Sequence, residues 1–441
     1  MRSSESDTGA GWLRGILIVS LVLRLAAVPL VHSSSYLSDE REYILIAQTL
    51  LGEGEFVDSN GFRSVRAPLF PFFLAGIFGV SGGSVALAHV AGCLLGVAGV
   101  LLVHALALRL WNDRRSALVA AALAGFHPSL VIYSTLLLTE SLYIVLLLAA
   151  LVMAHDFEAR PSWRRAVGLG VLAGLASLTR PVFLGYFPVL LALIALRGRA
   201  AGRRWLVLSF LAWGVVIAPW TIRNVLLHGE LVIVGSGAGS SLLTGNNPYA
   251  TGTWRVEPGY EEWLTARMAE RGVNDVASLS ETELGHLSGA IALDYIRKNP
   301  ARAAELALTK THIFWIYPVA HTDAPGALQA GVVAFDALLW VAVVLGAVGG
   351  RGAKRWLVIL AASALFFWMA QALLHSEARF RLPLVPLMAV VAGEGLRVFA
   401  DPVLRRAAIA RRGARALLGG GVLVVASAYG WTAYMVITGV I

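Results

Sequence analysis

The chain has 441 residues and a single cysteine, Cys93, so no intramolecular disulfide can staple it. Cys93 lies inside an apolar run and reads as a small core residue. Charge is scarce as well. Asp, Glu, Lys and Arg make up 14% of the residues, against roughly 25% in a soluble domain. There is no Walker-type glycine loop, no GxSxG elbow and no CxxC pair, which removes P-loop nucleotide hydrolysis, elbow-type serine hydrolases and thioredoxin-like redox chemistry. Nor does any internal repeat point to a transporter built from two related halves.

What is abundant is apolar residue, at 57%. Apolar runs of about 20 residues recur along the whole length, each long enough for a membrane helix. They do not alternate, which excludes a barrel. The expectation is an all-α polytopic membrane protein with spans near 12–31, 84–108, 116–134, 139–155, 166–179, 181–196, 205–222, 329–349, 356–374, 383–400 and 416–438, about eleven in all. The polar residues 1–11 read as a disordered cytoplasmic tail. The apolar segment after them has a weakly basic flank and no good cleavage site, so it reads as a retained first span. The run "PLFPFFLAGIFGV", 68–80, is short for a span and reads as an interfacial or re-entrant helix.

The loops set an orientation. With the N-terminus in the cytoplasm, about 21 of the 36 Lys and Arg and about 7 of the 27 acids fall inside, which is the positive-inside pattern. The net charge of +9 is thereby explained without nucleic acid. Two outer segments are long. Residues 32–83 belong with a transmembrane core over 12–222, and residues 223–328 form a separate outer loop before the closing helices of 329–441. Within the latter loop, Leu287, Ala290, Ile291, Tyr295 and Ile296 recur at helical spacing, and Pro300 starts a second helix.

The first outer loop carries "YLSDEREYILIAQTLLGEGEF", residues 36–56, with Asp39 and Glu40 side by side. Tyr43, Ile46, Ala47 and Leu50 then line one helical face, so Asp39 stands at a loop–helix junction. Paired with Glu42, it has the form of a capping residue worth about 1 kcal/mol. Such a cap would also aim a carboxylate. Glu140 in "STLLLTESLYIVLLL" is a second acid at the same membrane boundary, where an ionisable group is a functional candidate by default. Arg66, Arg180, Arg223, Arg379 and Arg381 stand at that boundary too, mostly beside prolines, and Lys310 and His312 follow in "TKTHIFW". Guanidinium groups held at that depth suit a phosphate, which they bind through paired hydrogen bonds. Arg24, inside the first span, is expected to snorkel or to pair with an acid.

These motifs, together with "RAPLFPFFLAGIFGVSG", "GLASLTRPVFLGYFPVLL", "APWTIRNVLLHGELV", "LLTGNNPYATG", "YIRKNPARAAELALTKTHIFW" and "SEARFRLPLVPLMAV", resemble the GT-C glycosyltransferases. The likeness is to the bacterial branch near the protein O-mannosyltransferases and the lipid A aminoarabinose transferases, and the motifs follow family order over most of the chain. The resemblance implies a GT-C-type bundle with juxtamembrane helices in the outer loops. It also implies a polyprenyl-phosphate sugar as donor, and a lipid, polysaccharide or protein acceptor at the outer face of the cell membrane. Asp39 takes the place of the catalytic carboxylate, Glu40 completes the acidic pair, and Glu140 corresponds to the later acid that holds a metal or orients the acceptor. A divalent cation (Mg, Mn or Zn) is then the cofactor to consider, on Asp39 and Glu140. The arginines and Lys310 would bind the donor phosphate, and Tyr43, Asn246, Asn247 and His375 would contact sugar or acceptor. The outer loop of 223–328 is too short for the separate domain that oligosaccharyltransferases carry. A flippase of lipid-linked sugars would place its charges mid-span, and a non-catalytic glycolipid scaffold would tolerate Asp39→Asn. A polysaccharide polymerase or ligase would keep its key residues in one late outer loop.

Overall fold

The computed structural model describes residues 2–30, 37–196, 203–316, 326–350, 353–410, 421 and 429. Among them the chain is helical, with one isolated antiparallel bridge between Ala250 and Val256. The helices are α1 (Arg2–Ala27), α2 (Leu37–Gly52), α3 (Leu69–Ser81), α4 (Val85–Trp111), α5 (Arg114–Phe126), α6 (Pro128–Thr135), α7 (Thr139–Ala159), α8 (Trp163–Thr179), α9 (Val182–Ala195) and α10 (Arg203–His228). Then come α11 (Ala238–Gly245), α12 (Tyr260–Ala269), α13 (Glu281–Lys298), α14 (Pro300–Trp315), α15 (Gly326–Gly349), α16 (Lys354–Leu373), α17 (Val385–Ala400) and α18 (Pro402–Ile409).

Seven helical segments among the described residues are long and apolar enough to cross a membrane, or eight if α5 and α6 are one broken span. The chain is therefore a multi-pass membrane protein. Ten of the expected eleven spans coincide with helices, but α8 and α9 are short, at 17 and 14 residues, and 416–438 lies outside the described residues except for 421 and 429. The expected span 116–134 is not straight. It bends by 55° at His127-Pro128. Pro128 has no N–H to give and pushes His127 into an extended conformation (φ −62°, ψ 118°), so one helix ends and another begins. The first helix, α1, starts at Arg2 and so takes in the polar residues before the first span. Once an apolar span has nucleated a helix, each added residue needs only one more hydrogen bond to continue it.

The segment Ala378–Ala400, which includes α17, is the axle of the bundle, with 83% of its apolar window buried. A helix that is apolar all round belongs inside. Backbones approach closely through small residues, the usual means of helix association in lipid. A Cβ on Gly170 of α8 would fall 2.3 Å from the Ser209 carbonyl oxygen of α10, and one on Gly395 would fall 1.9 Å from the Ala342 oxygen of α15. Beside the bundle, α11, α12 and α13 share a small core of Leu243, Met268, Ile291 and Ala292. Ser280 and Glu283 form a reciprocal capping box that starts α13.

Arg24 does not snorkel and meets no acid among the described residues. It is buried in α1 and donates to the carbonyl of Ser20, to the Ser20 hydroxyl and, at 2.9 Å, to the carbonyl of Gly125. The break after Phe126 leaves the Gly125 carbonyl without its helical donor, and Arg24 supplies one.

Candidate active site

Asp39 lies in the first turn of α2, two residues after its start. The expected capping pair with Glu42 does not form. Glu42 instead accepts from the backbone N–H and hydroxyl of Ser59, at 2.7 and 2.8 Å, and so folds the loop back on α2. Asp39 is shared by two guanidinium groups: Arg66 Nη2 donates to Oδ1 and Arg379 Nη2 to Oδ2, each at 2.9 Å. Burial alone would raise the Asp39 pKa. The charges of Arg379 and Arg66 outweigh it and hold the carboxyl below its ordinary value, hence ionised at neutral pH.

Arg379 also meets Glu377 Oε2 at 2.7 Å. Burial pushes the Glu377 pKa up, Arg379 pulls it down, and Asp39 and Glu140 oppose that pull, leaving it raised. Sequence reading did not single out Glu377, although it lies inside the quoted motif "SEARFRLPLVP". Its signal was an acid two residues before an arginine at a span boundary. Glu140, buried in the first turn of α7, accepts from Arg180 Nη2 at 2.8 Å, and Arg180 Nε donates to the Thr139 hydroxyl at 3.0 Å. Phe380 connects the two halves of the cluster. The guanidinium groups of Arg180 and Arg379 lie 5.5 and 5.7 Å from its ring centre. Arg66 lies 5.4 Å from the Tyr43 ring centre. Asp39, Glu140 and Glu377 thus interleave with Arg66, Arg180 and Arg379, three charges of each sign, with α2, α7, the end of α8 and the turn before α17 each contributing.

The other candidates are distributed around this cluster or away from it. Glu40 is 5% exposed and accepts the backbone N–H of Leu137 at 2.6 Å, which latches α2 to the α6–α7 link. Adjacent helical residues point about 100° apart, so only one of the two acids meets the arginines. Lys310 donates to Asn246 Oδ1 at 3.0 Å and to the carbonyls of Ala372 and Leu373 at 3.4 Å, and burial lowers its pKa to about 8. Asn246 also donates to the Leu242 and Leu373 carbonyls, and Asn247 bonds Leu243, Thr244 and Tyr249 within its own turn. Both asparagines therefore hold backbone. His375 lies 5.7 Å from Phe380, ring to ring, and burial lowers its pKa.

Arg381 leaves the cluster altogether. Residues 378–384 form a 3₁₀ turn, in which side chains two apart diverge by about 120°. While Arg379 faces Asp39, Arg381 is buried on Asp336 at 2.6 Å and on the Phe314 carbonyl at 3.0 Å, and Asp336 also meets His127 at 2.9 Å. Arg223 is elsewhere too, bonded to the Arg63 carbonyl, Ser64 and Asn224. Nearby, Ser64 Oγ and Glu281 Oε1 both approach His228 Nε2 at 2.8 Å. A nucleophilic triad would need them on opposite ring nitrogens, so this group ties the first loop to α10 and α13 and does not activate a serine.

The acids do not fit a divalent cation as arranged. Both Asp39 oxygens are taken by guanidinium groups, Glu140 is paired with Arg180, and no group of three metal-ligating side chains occurs among the described residues.

The fold and sequence have known counterparts. The chain resembles the archaeal oligosaccharyltransferase of Archaeoglobus fulgidus, in a crystal structure tethered to an acceptor peptide, with a TM-score of 0.54 and 15% identity over 96% of this chain and 54% of that one. The same protein with an inhibitory peptide and a dolichol-phosphate gives a TM-score of 0.51, 15% identity, and coverage of 96% and 55%. The fold is that of the GT-C class. Residues 65–222 match the family described as dolichyl-phosphate-mannose-protein mannosyltransferase. The chain is also 30% identical over 198 residues to undecaprenyl phosphate-alpha-4-amino-4-deoxy-L-arabinose arabinosyl transferase 2 of Pseudomonas fluorescens, covering 43% of this chain and 34% of that one. Against the corresponding Pseudomonas aeruginosa transferase it is 30% identical over 210 residues, covering 44% and 37%. The matches thus span about a third of those relatives' length. In fold and sequence, the chain resembles the GT-C glycosyltransferases near the mannosyl- and aminoarabinosyltransferases.

Proposed function

We propose that the chain is a membrane glycosyltransferase that moves a sugar from a polyprenyl-phosphate donor to an acceptor hydroxyl at the outer face of the cell membrane. The observation that carries this reading is Asp39, ionised and part-exposed, held between Arg66 and Arg379. The positive-inside count supports the outer face, and the likeness to transferases of undecaprenyl-phosphate sugars supports the donor class.

A general base works best with a pKa near the operating pH, and Asp39 in this arrangement is too acidic for that. The donor resolves the conflict. Its phosphate draws Arg379 and Arg66 toward its own oxygens, the carboxylate loses their stabilisation, and its basicity rises where the acceptor arrives. Asp39 then accepts the acceptor's hydroxyl proton as that oxygen attacks the anomeric carbon. The bond from that carbon to the phosphate oxygen breaks on the opposite side, so the configuration inverts. The lipid phosphate leaves with the electron pair, and the guanidinium groups stabilise its charge. Arg180 and Glu140, linked through Phe380, hold the far wall, and Glu377 keeps Arg379 in place between turnovers. No step requires a metal.

The test compares envelope glycans of a deletion strain complemented with the wild-type chain or with Asp39→Ala. Loss of the same glycan from the deletion and Asp39→Ala strains, at equal protein level, supports the assignment. Wild-type glycans from Asp39→Ala would sink it.

A further inference from the structure

A cavity of about 510 Å³ lies apart from the acid–arginine cluster. It lies between the C-terminal end of α2, the start of α3 and the last turns of α10. Leu50 on its wall is eleven residues from Asp39, about 16 Å along the helix. Its size falls within the roughly 300–1,000 Å³ of small-molecule sites. Phe56, Phe72 and Trp220 supply an apolar wall, and Arg63 and Arg223 supply two cations.

Three features define what would fit. The first is lateral access. α10 is a membrane span, and both its Pro219 and the Phe72 of α3 are exposed at the rim, so an apolar chain can enter sideways from the bilayer. The second is Arg223. It is packed on Trp220 and Phe56, at 4.5 and 5.8 Å from their ring centres, and it makes no ion pair with a carboxylate among the described residues. Its Nη1 donates to the Arg63 carbonyl, Ser64 and Asn224, which fixes the guanidinium in place. The third is Arg63, whose pair with Glu55 at 2.7 Å is half-exposed on both sides and therefore weak enough to exchange. A fixed guanidinium, an exchangeable one and aromatic walls open to lipid match an amphiphile with a phosphate head.

We propose that this cavity is a second lipid site, which takes a phosphate-bearing membrane lipid with its head on Arg223 and Arg63 and its chain against Phe56, Phe72 and Trp220. Arg223 then belongs to this site and not to the donor phosphate. Arg63 and Arg66 are three residues apart, at most about 11 Å of extended chain, so the lipid head sits beside the proposed reaction centre without entering it.

The experiment uses the full-length protein in detergent and reads lipid retention by native mass spectrometry, independently of sugar transfer. The probes are dioleoyl phosphatidic acid, dioleoylglycerol and glycerol phosphate. Phosphatidic acid is expected to be retained at least tenfold better than dioleoylglycerol, and glycerol phosphate not at all. Arg63→Gln with Arg223→Gln should bring phosphatidic acid down to the dioleoylglycerol level. Leu50→Trp, which fills the cavity, should remove both lipids while the thermal melt stays unchanged. Equal retention of the two lipids by the wild type, retention of glycerol phosphate as strong as that of phosphatidic acid, or a preference that survives the double substitution would overturn the proposal. If Leu50→Trp does not fold, the arginine pair decides alone.

Discussion

Two acid–arginine groups in this chain share one chemistry and differ in their surroundings. Around Asp39, Arg66 and Arg379 hold a carboxylate that keeps 23% of its side-chain surface exposed. Around Asp336, Arg381 and His127 hold a carboxylate that keeps 3%, with Asp336 and Arg381 inside spans and His127 at the break between α5 and α6. The buried group is closed. Its members were desolvated when the protein folded, and the Phe314 carbonyl takes a further hydrogen bond from Arg381. The other group leaves Asp39 and Arg66 part-exposed, and in the proposed mechanism a phosphate trades places with that carboxylate. The same pairing is closed where water is excluded and part-exposed where the proposed donor would arrive.

The comparison can be broken from either side. The largest effect should come from Asp39→Ala, which is expected to lower sugar transfer by about 10²–10⁴-fold with little change in melting temperature, as read by transfer assays and thermal unfolding of the same purified sample. Arg381→Met should do the reverse in kind. It leaves Asp336 buried and charged, at a cost of about 3–5 kcal/mol, seen as a fall in unfolding temperature; Arg381→Met with Asp336→Leu should recover most of it. If the double variant melts as low as the single one, the pair is more than scaffold.

Arg379→Lys sharpens the contrast. An ammonium keeps the charge but cannot bridge Asp39 and Glu377 as a planar fork does, and a roughly tenfold loss of transfer is expected, mostly as a raised donor KM. The smallest effect concerns Lys310. Its folded pKa of about 8 lies below the ordinary 10.5, so above pH 8 the folded state gives up a proton that the unfolded state keeps. Stability should therefore rise between pH 8 and 10.5, and Lys310→Met should abolish that rise, as followed by denaturation at each pH.

The helices were largely legible in the sequence. Apolar length placed ten spans on observed helices, and Pro300 and the helical spacing around Ile291 marked the α13–α14 pair. The misreadings share a cause: a local rule was outvoted by a partner far away in sequence. Asp39 and Glu42 have the spacing of a cap, yet Ser59 takes Glu42 and two arginines take Asp39. Arg24 carries a charge that suggests an acid or the membrane surface, yet its partner is a carbonyl freed by a kink about a hundred residues on. The expected span 416–438 lies, except for residues 421 and 429, outside the described structure. At the site, Asp39, Glu140 and three of the arginines were recognisable as polar groups at span boundaries, whereas Glu377 was not.

By itself the sequence determined the membrane class and where most of the helices fall, because apolar length and charge are local properties and lipid enforces them helix by helix. Only the tertiary structure decided which of those residues meet. Arg379 and Arg381 are alike in type and two residues apart, and the 3₁₀ turn that carries them sends one to Asp39 and the other to Asp336. That division depends on the angle between neighbouring side chains and on which helix packs against each, and neither quantity is written in the identity of the residue.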